Sequence, residues 1–182
     1  MPLYPDRMAA LIPLLVALLL PAHAETIDRV VVVVEEQLVL ASDIRFEAVL
    51  AGLDDSPSPF WDRTRSDPAE RLVDAAVVRH LAADVSVYHP EEEVVRTRLE
   101  HIRSQFPDRE AWQGFLRTWG LDEDALRTIL RRRLVVERYL ARNLQADPAD
   151  RQVWLEACDR YLSEVRPRLR IRAVPARSEV GP

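Results

Sequence analysis

Apolar positions change rhythm along this chain. Five consecutive valines, Val30–Val34, precede Glu35-Glu36, and Gln37-Leu38-Val39-Leu40 follows. β-Branched side chains are stiff at χ1 and favour extended backbone, so the segment predicts a strand, a tight turn and a second short strand. The turn is poorly specified, since neither glutamate tolerates positive φ as Asn or Gly would.

From Ser42 onward the apolar spacing becomes helical. Ser42 offers an N-cap and Asp43 a first-turn carboxylate for a helix carrying Ile44, Val49, Leu50 and Leu53. Residues 54–67 read as a polar, proline-containing loop in which Phe60 and Trp61 have no core periodicity around them. Asp67-Pro68-Ala69-Glu70 gives the N-cap, N1 proline and capping-box glutamate of a second helix, with Leu72, Val73, Ala76, Val77 and Leu81. His89-Pro90 opens a third (Val94, Val95, Leu99, Ile102, Phe106), and Glu91, Glu92 and Glu93 suit its dipole. Asp108 caps a short fourth helix with Trp112, Phe115, Leu116 and Trp119, stopped at Gly120. Asp122 caps a long fifth, with Leu126, Ile129, Leu130, Leu134, Val136 and Leu140. Asp147-Pro148 begins a sixth, which Pro167 ends, and residues 169–174 alternate as a closing strand. The expected fold is mostly α, with about six helices and a small N-terminal β-hairpin.

The N-terminus carries a different pattern. Residues 8–20 are almost wholly apolar, Arg7 precedes them, and Ala22-His23-Ala24 closes the stretch. These features predict a cleavable secretory signal over residues 1–24, with Ala22 and Ala24 at the cleavage site. The apolar run is too short for a spanning helix. No cysteine follows the cleavage point, so no lipid anchor is expected. Residues 25–182 then form one exported domain, of a size that folds without staples.

Composition narrows the chemistry. The net charge is −5 with both signs interleaved, all basic residues are arginine, and no basic patch points to nucleic acid. Arg131-Arg132-Arg133, the one dense basic run, shares a helical pattern with Leu130 and Leu134 and reads as a solvated face. Cys158 stands alone at helical spacing among Trp154, Tyr161 and Leu162, which suits a buried core side chain. The histidines are scattered, so no metal site is expected, and no cofactor. The serines sit at caps, loops or polar helix faces, and four glycines leave no phosphate cradle. No catalytic residue is expected.

Four segments, read in order, resemble the N-terminal module of SurA-type periplasmic chaperones, a family that includes parvulin-bearing foldases. They are IDRVVVVVEEQLVLASDI (27–44), AERLVDAAVVRHLAADVSV (69–87), EEEVVRTRLEHIRSQFPDREAWQGFLRTWGL (91–121) and EDALRTILRRRLVVERYL (123–140), whose ending LVVERYL is the most specific part. The chain departs from the family in having Glu35 where a turn residue such as Asn is usual. It is also expected to lack an isomerase domain after the long helix, since Asp147-Pro148 leads straight into the last helix and strand. The resemblance implies that the C-terminal strand pairs with the hairpin. It further implies a periplasmic, ATP-independent holdase for unfolded polypeptide clients, outer-membrane β-barrel precursors among them. Promiscuous binding requires exposed apolar surface, and Phe60, Trp61, Trp112, Phe115 and Trp119 are the candidates for it. A prolyl-isomerase relative and an accessory subunit for one secreted partner stay open as alternatives, as does the oligomeric state.

Overall fold

The computed structural model describes residues 28–175. The expected signal segment, with Ala22 and Ala24, lies outside the described residues. Strands β1 (Val30–Val34) and β2 (Gln37–Leu40) form the hairpin. Strand β3 (Ile171–Ala173) returns from the C-terminal end to pair antiparallel with β1, giving the order β2-β1-β3. Glu35 occupies the turn at φ 51°, a left-handed conformation that is costly for a side chain. Its carboxylate accepts hydrogen bonds from the Arg170 backbone N–H at 2.8 Å and from Arg170 Nε at 2.9 Å. The Glu35 N–H donates in turn to the Arg170 carbonyl at 2.8 Å. A residue that suits the turn poorly thus clasps the returning strand.

Six helices follow: α1 (Ala41–Leu53), α2 (Pro68–Ala82), α3 (Glu92–Arg103), α4 (Arg109–Thr118), α5 (Glu123–Asn143) and α6 (Arg151–Val165). Asp67, Asp108 and Asp122 cap α2, α4 and α5 by accepting from backbone N–H groups of the first turn. Two caps differ from expectation. The carboxylate of Asp43 reaches back to the Leu40 N–H at 3.0 Å, while the Ser42 hydroxyl is drawn to Asp28. Helix α6 is capped by Asp150, because Asp147 is committed to the Ala149 N–H of the preceding turn.

Helix α5 is shared by two apolar clusters. Its C-terminal half, with Val136, Tyr139 and Leu140, packs with Val34, Phe60, Trp61, Val77 and Trp154 from the sheet, the α1–α2 loop, α2 and α6. Its N-terminal half, with Leu126, Leu130 and Leu134, packs with Phe46, Leu50, Leu99, Ile102 and Trp112 from α1, α3 and α4. Among the described residues, no helix is long and apolar enough to cross a membrane.

Candidate functional site

The five aromatic candidates divide between these two clusters. Phe60 and Trp61 lie in a 3-10 turn, Pro59–Trp61, and are 0% and 3% exposed, which corrects the expectation that they project from a polar loop. Pro59 occupies the first position of that turn, where its fixed φ suits the geometry, and the two rings pack edge to face at 4.7 Å. Arginines cover them. The Arg65 guanidinium lies 4.8 Å from the Phe60 ring and that of Arg133 lies 3.8 Å from Trp61. Trp112 is buried as well, its Nε1 donating to Glu123 Oε1 at 2.8 Å. Phe115 and Trp119 are half-buried beside Phe46, at 6.2 Å and 5.4 Å between ring centroids. The trio from α4 and its C-cap therefore packs the second cluster, leaving part of Phe115 and Trp119 at the surface.

A chain of ion pairs, not foreseen in the sequence, ties α1, α2, α3 and α5 together. Arg71 Nε donates to Glu47 Oε1 at 3.0 Å, and Arg133 Nη1 to Glu47 Oε2 at 2.6 Å. Arg133 Nε donates to Asp54 Oδ2 and Arg98 Nη1 to Asp54 Oδ1, both at 2.8 Å. Arg98 Nη2 continues to Glu137 Oε2 at 2.9 Å, and the Ser56 hydroxyl ends the chain on Glu137 Oε1 at 2.7 Å. Cations and anions alternate, and Arg71, Glu47, Arg133 and Asp54 are all buried. Burial pushes the Glu137 carboxyl upward, opposed by Arg98. The reading of Arg131-Arg132-Arg133 as a solvated face holds for exposed Arg132 and fails for Arg133. With their oxygens held by guanidiniums, these carboxylates are poor general acids or bases, and the arrangement serves geometry.

A second ion-paired group, centred on buried Asp74, joins α2 to α6. Arg65 Nη2 reaches Asp159 Oδ1 at 2.8 Å and Asp74 Oδ2 at 3.3 Å, and Arg166 also pairs with Asp74. Cys158 lies 3.9 Å from Arg65 Nη2. Burial nevertheless pushes its thiol up to about 12, which keeps it protonated and unreactive.

Open space lies over the α1–α2 loop. One cleft, of about 600 Å³, is lined by Asp55, Ser56, Trp61, Asp62, Thr64 and Arg151 among others. A neighbouring cleft of about 240 Å³ is chiefly apolar and brings in Ala141 and Trp154. Both are bounded by Pro57, Ser58, Pro59 and Pro148, so they adjoin along that segment as a polar and an apolar arm. Hydrogen bonds from the Thr64 hydroxyl and N–H, with the Arg151 guanidinium, hold the Asp62 carboxyl down at about 2, so the polar arm carries a fixed Asp62–Arg151 ion pair. No protein-family model matches the chain, and no curated protein matches it.

Proposed function

We propose that this domain is an ATP-independent periplasmic holdase that binds unfolded exported polypeptides, outer-membrane β-barrel precursors among them. The order of its elements supports the reading through the resemblance to SurA-type N-terminal modules, which is an argument from fold. The observation that carries it is the apolar arm, where exposed Pro57, Ala141 and Pro148 offer greasy surface over buried Pro59 and Trp154. Proline walls are already rigid, so binding orders little of the protein. Affinity comes from apolar burial, worth roughly 25 cal/mol per Å², and carries little sequence selectivity. Trp61 lines the polar arm and Phe60 packs in the core beside it, so their truncation damages the fold before it reports on clients.

The test is fluorescence anisotropy with labelled, urea-diluted barrel precursors, with native soluble proteins as controls. Ala141→Arg places a charged side chain in the apolar arm from an exposed helix position. The expected result is micromolar binding to unfolded chains only, weakened about fivefold or more in the variant, equivalent to about 1 kcal/mol. Absence of binding to every unfolded chain contradicts the proposal. Stoichiometric capture of one folded partner in its place supports the accessory-subunit reading.

A further inference from the structure

A smaller groove, about 70 Å³, opens beside β2. Leu38, Phe46, Leu72 and Ile129 supply its apolar lining, and Leu38 is 54% exposed on a strand at the edge of the sheet. Arg79 from α2 and Arg132 from α5 line the same groove. Arg79 Nε donates to the neutral side chain of Gln37 at 3.0 Å. Among the described residues, neither Arg79 nor Arg132 has a salt-bridge partner.

Two acids, Asp43 and Glu47, also line the groove. Glu47 is held by Arg71 and Arg133, and Asp43, the carboxylate whose charge acts on Arg79, accepts the Leu40 N–H. Burial and the like charge of Arg132 push the Arg79 guanidinium down to about 10. A further donor, Nη2 of Arg133, is buried with no acceptor among the described residues, and Arg133 also lines this groove. Two crowded cations beside apolar surface, with a buried donor left over, call for an anion attached to an apolar group. The volume suits a single aliphatic side chain and is too small for a long acyl tail. The edge position of β2 favours an extended polypeptide, since edge strands present unpaired backbone groups.

We propose that this groove binds the C-terminal carboxylate of an extended polypeptide whose last residue is apolar. The carboxylate sits at Arg79 and Arg132, and the last side chain lies against Leu38, Phe46, Leu72 and Ile129. The inference rests on the holdase reading for its choice of a polypeptide, and adds a site that reads chain ends.

The test uses labelled hexapeptides ending in Leu, as the free acid and as the C-terminal amide, followed by anisotropy, with hexanoate as a competitor. The free acid is expected to bind about tenfold or more tighter than the amide, the range of a charge-assisted contact. Arg132→Gln and Arg79→Gln each bring that ratio close to one. Arg132 is exposed, so its variant folds even where loss of the Arg79–Gln37 bond disturbs the other. A ratio retained in Arg132→Gln overturns the proposal, and so does hexanoate competing as well as the acid peptide. Equal binding of acid and amide, with unfolded precursors still bound, overturns this proposal alone. Loss of all peptide and precursor binding overturns the holdase reading beneath it.

Discussion

Replacing Arg133 by Met isolates what the buried ion chain does for the fold. The substitution keeps an unbranched side chain of similar reach but removes the cation that bridges Glu47 at 2.6 Å and Asp54 at 2.8 Å. Arg71 and Arg98 remain on the other oxygens of those carboxylates, so the net change is one uncompensated negative charge in a site only 3% exposed. Breaking a buried pair in this way costs about 3–5 kcal/mol. The guanidinium stack over Trp61 adds about 1 kcal/mol. Met returns about 1 kcal/mol through its own apolar burial. The expected net loss is about 4 kcal/mol, or a fall of about 8–16 °C in Tm for a chain of this size. Urea unfolding followed by tryptophan fluorescence reads it directly, with the slope m unchanged. Arg132→Met, one residue away on the exposed face, is expected within about 0.5 kcal/mol of wild type. Glu47→Gln combined with Arg133→Met restores the balance of charge and recovers about 1–3 kcal/mol relative to additivity. A loss below about 1 kcal/mol in Arg133→Met, or strict additivity in the double variant, refutes the reasoning.

Three further outcomes are expected. Glu35→Ala keeps the left-handed turn but loses the clasp on Arg170, lowering Tm and speeding exchange of the Arg170 amide hydrogen, whereas Glu35→Gly lowers Tm less because it relieves the backbone. Asp62, held at about 2 against an ordinary 3.8, stabilises the fold above about pH 4, and this contribution is lost as pH falls from 4 to 2. Asp62→Asn therefore costs about 1 kcal/mol at pH 6, after allowance for its partial exposure, and the difference from wild type closes near pH 2 in denaturation curves. Cys158, buried and protonated, resists alkylation by iodoacetamide at pH 8 in the native protein, and its modification rate follows global unfolding under denaturant.

The sequence was informative where signals were local. The valine run, the aspartate caps at 67, 108 and 122, and the alternation before Val174 each specify an element through neighbouring residues alone, and the mostly α fold with its hairpin follows from them. Pairing of β3 with β1 came through resemblance, since strand partners far apart in sequence leave no periodic trace. Phe60 and Trp61 misled because a 3-10 turn is too short to impose periodicity, although Pro59 before them was a usable hint of an inward turn. Arg71 and Arg133 were illegible for a different reason. A buried arginine looks like a surface one until its carboxylates arrive from another helix, here Glu47 on α1 and Asp54 at the C-terminal end of α1. The one sequence signal was Glu47 itself, a charge next to Phe46 on a helix whose apolar face was otherwise diffuse. The two adjoining arms and the β2 groove are likewise products of packing, assembled from residues that no single segment brings together.

Site-specific photo-crosslinking tests the client-binding claim most directly. A benzophenone side chain at Ala141 lies in the apolar arm, and one at exposed Gln113 on α4 lies outside both openings. With labelled barrel precursors diluted from urea, adducts form at Ala141 and not at Gln113, and they disappear when the precursor is replaced by a native soluble protein. Adducts of equal yield at the two positions, or none at Ala141, contradict the account.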